Sequence, residues 1–194
     1  MWVESPTVDT EKLLSRTINS LKHLQSSTQL EITHEKDTSI VIHRGAEAMR
    51  RVIYRAVALS KSERFYIYQG SNTDHGWDRV IGLKNILKIN RLLKKKGIIG
   101  ESFIPEDYFQ ATVPHLGTEW RESYIDRMNI VYYLPKEYFQ SHAEILIFRE
   151  QVIVFHLRSE IAVEIRNEEI LKMFKQLFDM LKLFARRVDT QNAG

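Results

Sequence analysis

The chain has 194 residues, 43% hydrophobic and 27% charged, which suits one folded unit with a single good core and leaves little room for two full domains. Its 28 basic residues against 25 acidic ones give a net charge of +3, too small an imbalance to mark a nucleic-acid surface by itself. Without cysteine there are no disulfides, no thiolate nucleophiles and no sulfur-ligated metal sites, no apolar run approaches the roughly 18 to 20 residues of a membrane helix, and "MWVESPTVDTEKLL" is not a secretory signal, so a cytoplasmic chain with no membrane partner is expected.

In chain order, Asp9 to Gln25 reads as an amphipathic helix. Leu14, Ile18, Leu21 and Gln25 share a stripe that Leu13 and Leu24 widen, and Asp9 or Thr10 caps the start. Such a stripe needs burial, either on its own domain or on a second copy of the chain. "SSTQ" is a break, and "TSIVIHRG" is a β-branched strand ending at Gly45. "AEAMRRVIYRAVALSK" follows as a helix with Met49, Val52, Ile53, Ala56 and Val57 inward. "RFYIYQGS" is a second strand, stopping at Gly70. After a loop carrying His75, Gly76 and Trp77, "DRVIGLKNILKINRLLKKKG" reads as one helix with Ile86, Ile89, Leu92 and Leu93 inward and Gly97 as its stop. "IIGESFIP" is a third strand, the segment from Glu106 to Glu122 reads as irregular because of Pro114 and Gly117, and "RMNIVYYLP" is a fourth strand. "AEILIFR" and "QVIVFHL" form a hairpin around Glu150, "IAVEIR" is a further strand, and Asn167 caps a helix from Glu168 to about Arg187.

Strands alternating with helices early and a hairpin late predict an α/β sheet with parallel strands and an antiparallel portion. The expected organisation is a linker-like helix over 1–29, one domain over 30–188 and a flexible tail over 189–194.

The stretch "SHAEILIFREQVIVFHL" accepts without a gap the frame of a phosphodiester-cleaving motif of the phospholipase D type, His-x-Lys, four residues, Asp, six residues, Gly-Ser. His142 takes the histidine, Glu144 the lysine, Arg149 the aspartate and His156-Leu157 the Gly-Ser. A carboxylate at Glu144 repels a phosphodiester where a cation is needed, and the Arg149 guanidinium only donates where an aspartate accepts. Hydrolysis is therefore not expected. His142 either begins a strand at a partly exposed edge or lines a pocket, and Glu144, two residues on, faces the same side and could join it as a hydrogen-bonding pair for a polyol.

The order of elements, with "IVIHRGAEAMRRVIYRA", "ERFYIYQGS", "RMNIVYYLP" and the closing block "AEILIFREQVIVFHLRSEIAVEIRNEEILKMFKQLFDMLK", resembles the effector-binding domain of TrmB-like transcription regulators over about residues 38 to 186. The resemblance implies a phospholipase D-like mixed sheet flanked by helices, a non-catalytic sensor or regulatory role in transcription control, and an effector that biases the placement of two protomers. The family's full-length members carry an N-terminal winged helix-turn-helix before a helical linker, and only the linker-like helix precedes the domain here. DNA is accordingly expected as a partner only through an absent or separate winged-helix domain.

Ligands of open α/β sheets bind beyond the carboxyl ends of parallel strands. That places a pocket rim at Gln69, Gly70, Ser71 and Asn72, joined by His75 and Trp77 from the loop and by His142 and Glu144, although Gly-Ser-Asn is also common turn chemistry. A small polar, sugar-like ligand is the expected occupant. The basic series Lys84, Lys88, Arg91 and Lys95 reads as the solvated side of a helix. His34, Asp37 and His43 have no metal spacing, and no cofactor is expected. In the last helix Ile170, Phe174, Leu177, Leu181 and Phe184 form one apolar line, with Leu171, Phe178 and Ala185 as a second shoulder, wide enough for either core packing or a homodimer interface.

Overall fold

The computed structural model describes residues 29–188 except 36, 62, 70–75 and 128, with side chains from 37 onward. The Asp9 to Gln25 helix and the tail lie outside the described residues. The chain opens with a hairpin of β1 (Gln29–Glu35) and β2 (Thr38–Arg44). It continues through α1 (Ala46–Val57), β3 (Arg64–Tyr68), α2 (Gly76–Ile81), α3 (Leu83–Lys96), β4 (Ile99–Pro105), α4 (Tyr108–Asp126) and β5 (Asn129–Leu134). The closing half is β6 (Ala143–Phe148), β7 (Gln151–His156), β8 (Ile161–Arg166), α5 (Glu168–Lys182) and β9 (Arg186–Val188).

The strands form a mixed sheet in the order β1-β2-β8-β7-β6-β3-β4-β5-β9. β3, β4 and β5 run parallel, joined by helical crossovers, and the other ladders are antiparallel. This is the expected α/β class. The two-residue period of β3 sorts the helices into layers. Phe65 and Ile67 point into a core shared with Met49 and Val52 of α1 and Leu93 of α3. Tyr66 and Tyr68 point the other way, against Phe178 of α5. On β4, Ile104 joins Trp120 and Tyr124 of α4, while Phe103 joins α5. The first four helices therefore cover one face and α5 covers the other.

Four sequence expectations change in the folded chain. A strand, β1, forms over Gln29–Glu35, where the sequence reading assigns no element, and it is an edge strand held by one neighbour. The helix expected from Asp78 to Lys96 is two helices divided at Gly82, whose φ of 80° and ψ of 138° end the helical path, a conformation glycine adopts without steric cost. The segment around Pro114 and Gly117 is helical, not irregular. Its backbone bends at Gly117, where φ is 82° and ψ is 168°, and a cluster of Tyr108, Phe109, Trp120 and Tyr124, with ring centroids 5.5 to 6.1 Å apart, packs the two parts together. Finally, α5 stops at Lys182, and Arg186–Val188 turns back to pair with β5. Its start is as expected: Asn167 Oδ1 accepts from the Ile170 amide at 2.9 Å, and its Nδ2 donates to Thr38 Oγ1 at 2.8 Å.

Candidate ligand pocket

The carboxyl end of β3 delivers Gln69 into a cavity of about 120 Å³ between the sheet and the four-helix layer. Its floor is Phe65 and Ile67, and its walls come from α1, α2, α3 and α4, including Ile53, Ile89 and Trp120. Gln69 is buried. Its amide donates to the Phe103 carbonyl at 3.0 Å, which continues the β3–β4 pairing past the strand end, and its Oε1 accepts from the Tyr124 hydroxyl at 3.0 Å. Trp77, in the first turn of α2, also lines the cavity, stacks edge-on against Phe155 at 5.5 Å, and donates its Nε1–H to Glu144 Oε2 at 2.7 Å.

Glu144 lies on β6 beside the end of β3, since Ile145 is the partner of Tyr68. It is 1% exposed. Burial pushes its carboxyl up to about 8, and the Trp77 hydrogen bond only partly opposes that rise. At neutral pH the group is mainly a carboxylic acid. Burial likewise raises the Tyr108 hydroxyl well above its usual range, and the neighbouring Tyr124 and Glu144 add to the effect. Burial therefore disfavours the charged form of both groups.

Of the residues expected to meet a ligand, Gln69 and Trp77 share the cavity, and Glu144 stands behind Trp77. Gly70, Ser71, Asn72 and His75 lie outside the described residues. His142 comes just before β6 and is half-buried, with a buried Nδ1 that has no hydrogen-bond partner. It is not at a sheet edge, because β6 runs between β7 and β3. Arg149 sits in the hairpin turn at the other end of β6, with φ at 52°, donating to the Ala58 carbonyl at 3.3 Å and lying 3.5 Å from Glu63. His156 Nδ1 accepts from the Ser159 amide at 3.3 Å. Lys84, Lys88, Arg91 and Lys95 are all exposed, as a solvated helix face requires.

Sequence reasoning missed Tyr108 and Thr112, because the segment carrying them reads as irregular, and Tyr124, which falls between that segment and the next strand. It also missed a buried charge cluster on β2, β8 and α1. There Glu164, 1% exposed, accepts from His43 Nε2 at 2.9 Å, from Arg55 and from Arg166. Burial alone raises the Glu164 carboxyl, but these donors outweigh it and bring the group down to about 2. His43 and Glu164 are 121 residues apart in sequence, so no local spacing announces the pair. Among the described residues no group of acidic residues and histidines is arranged to hold a metal ion, and no helix is long and apolar enough to cross a membrane.

No protein-family model and no curated protein matches the chain. Among solved structures it is similar to TrmBL2, an archaeal chromatin protein whose structure shows a novel mode of DNA binding, with 14% identity, a TM-score of 0.52, and 93% of this chain and 64% of that chain covered. The chain thus spans less than two thirds of that protein's length, and the likeness establishes a shared fold: an α/β mixed sheet flanked by helices.

Proposed function

We propose that the chain is a non-catalytic sensor or regulatory domain of the TrmB type, acting in the cytoplasm, which holds a small effector at the carboxyl ends of β3 and β4 and works as a pair of identical copies. The fold shared with a DNA-binding chromatin protein supports the regulatory setting. The basic residues of α3 form a solvated face, and DNA contact in such a regulator falls to a winged-helix domain and not to this one.

The observation that carries the non-catalytic reading is Glu144. The position that phosphodiester chemistry assigns to a cation holds a buried, largely protonated carboxyl tied to Trp77. It supplies no positive charge to a phosphoryl oxygen. His142 Nδ1 lacks the accepting partner that would orient a nucleophilic imidazole, and Arg149 is engaged at the far end of the strand.

Pairing of two copies is supported by α5. Leu171 and Phe178, the second shoulder of the sequence pattern, are the deeply buried line, whereas Leu177 and Phe184 face outward with Met173 and Met180. These four repeat at spacings of four, three and four, and they are 44% to 76% exposed. An antiparallel second α5 would cover this stripe. Light scattering at micromolar concentration tests it: the protein is expected to be a dimer and Leu177→Glu, M180E a folded monomer. A monomeric parent protein removes the pairing. For catalysis, release of nitrophenol from a generic phosphodiester that is lost in His142→Ala would replace the sensor with a phospholipase D-type phosphodiesterase.

A further inference from the structure

The character of the cavity narrows the chemistry of the effector, a step that rests on the sensor reading. A sugar-like ligand needs a partner for each hydroxyl, because a buried hydroxyl without one costs about 1 to 3 kcal/mol. Most polar groups on this wall are already committed to one another. Gln69 Oε1 is taken by Tyr124. Asn90 donates to Ser123 Oγ at 2.9 Å and accepts from Arg127 at 2.8 Å. Arg127 also donates to Asn129 Oδ1 at 3.0 Å and lies over the Tyr124 ring at 4.2 Å. Trp77 Nε1 is held by Glu144.

Thr112 differs. It is 9% exposed, it lines the cavity from α4, and its Oγ1 is buried without a hydrogen-bond partner. A threonine hydroxyl both donates and accepts, so one polar substituent on a ligand satisfies it. Of the remaining lining residues, Asp78 and His115 have interactions of their own, and the others are aliphatic and aromatic, with Phe65, Trp77, Trp120 and Tyr124 presenting rings to the space. A volume of about 120 Å³ is close to the roughly 150 Å³ of a dry apolar cavity that takes one benzene.

We propose that this cavity binds a phenol-class ligand, a single aromatic ring with one uncharged hydroxyl, and that Thr112 is the residue that selects the hydroxyl. The ring replaces empty space beside Phe65 and Trp120, while the ligand hydroxyl pairs with Thr112 Oγ1.

The test uses phenol and glucose as probes on the whole chain, read by thermal midpoint and by tryptophan fluorescence, since Trp77 and Trp120 both border the cavity. Phenol is expected to raise the midpoint by a few degrees and change the emission, and glucose to do neither. Thr112→Val, which keeps the shape and removes the hydroxyl, is expected to weaken phenol binding by about tenfold. Ala56→Leu, which fills the space from α1, is expected to abolish it while the circular dichroism spectrum stays unchanged. If the response persists in A56L, phenol binds elsewhere and the proposal falls. If glucose shifts the midpoint and phenol does not, the aromatic ligand is overturned while the effector domain stands. If neither probe acts, the proposal is again overturned, and light scattering and the phosphodiester assay judge the regulatory reading separately.

Discussion

Replacing Glu144 by glutamine isolates the cost of a buried acid. In the folded chain its carboxyl is raised from 4.5 to about 8, with burial as the main cause. Below pH 4.5 both folded and unfolded chains carry the proton, and the group is neutral to stability. As pH rises, the unfolded chain releases the proton freely, whereas the folded chain must keep it or bury a charge. Stability therefore falls across the interval from 4.5 to about 8 and is constant above it. At about 1.4 kcal/mol per pH unit, the penalty is on the order of 5 kcal/mol above pH 8, roughly 3 at pH 7 and below about 1 at pH 5. Glutamine keeps an oxygen for the Trp77 indole N–H and has no proton to lose. Urea unfolding of the parent protein and Glu144→Gln, followed by circular dichroism at pH 5, 7 and 8.5, should give nearly equal stabilities at pH 5 and a widening gap in favour of the variant above it. Using the difference between the two proteins removes every other titrating group from the comparison. A gap of the same size at all three pH values would refute the reasoning, because it would show that Glu144 titrates alike in the folded and unfolded chains.

Packing at Gly100 and charge at Glu164 set two further outcomes. A Cβ at Gly100 would lie 2.6 Å from Phe65 Cζ and 2.8 Å from Asn129 Oδ1, so Gly100→Ala should cost about 2 kcal/mol in urea unfolding; a loss under about 0.5 kcal/mol would mean that the Phe65 ring yields freely. Glu164→Ala strands the His43 ring and leaves two arginines without their shared acceptor, and it should cost about 3 kcal/mol at pH 7. Because the Glu164 carboxyl is lowered to about 2, its contribution is present above pH 4.5 and fades as pH falls toward 2, so the gap between parent and variant should narrow in acid, and a gap that widened there would contradict the assignment.

The candidate site is half legible in the unfolded sequence. Gln69 and Trp77 are found by a topological rule, that ligands gather beyond the carboxyl ends of parallel strands, and both line the cavity. Tyr108 and Thr112 escape it because Pro114 and Gly117 punctuate their segment, and local punctuation outweighs a helix whose stability comes from aromatic contacts between its two parts. Gly70, Ser71 and Asn72 of the expected polar rim lie outside the described residues, and within the cavity hydrogen bonds join Gln69 to Tyr124 and Asn90 to Arg127.

By itself the sequence determined the class of the fold, most of its strands, the cap at Asn167 and the charge reversals at Glu144 and Arg149. Each of these is written in residues a few positions apart, through periodicity, capping chemistry or motif spacing. Only the tertiary structure decided that Glu144 meets Trp77, that Glu164 collects His43, Arg55 and Arg166 as partners, and which side of α5 faces the sheet. Those outcomes depend on which strands become neighbours, and a pairing such as β2 with β8 joins residues more than a hundred positions apart. The apolar sector of α5 is wider than one contact needs, and only the sheet beneath it selects Leu171 and Phe178 for deep burial, packs Ile170, Phe174 and Leu181 beside them, and leaves Leu177 in water.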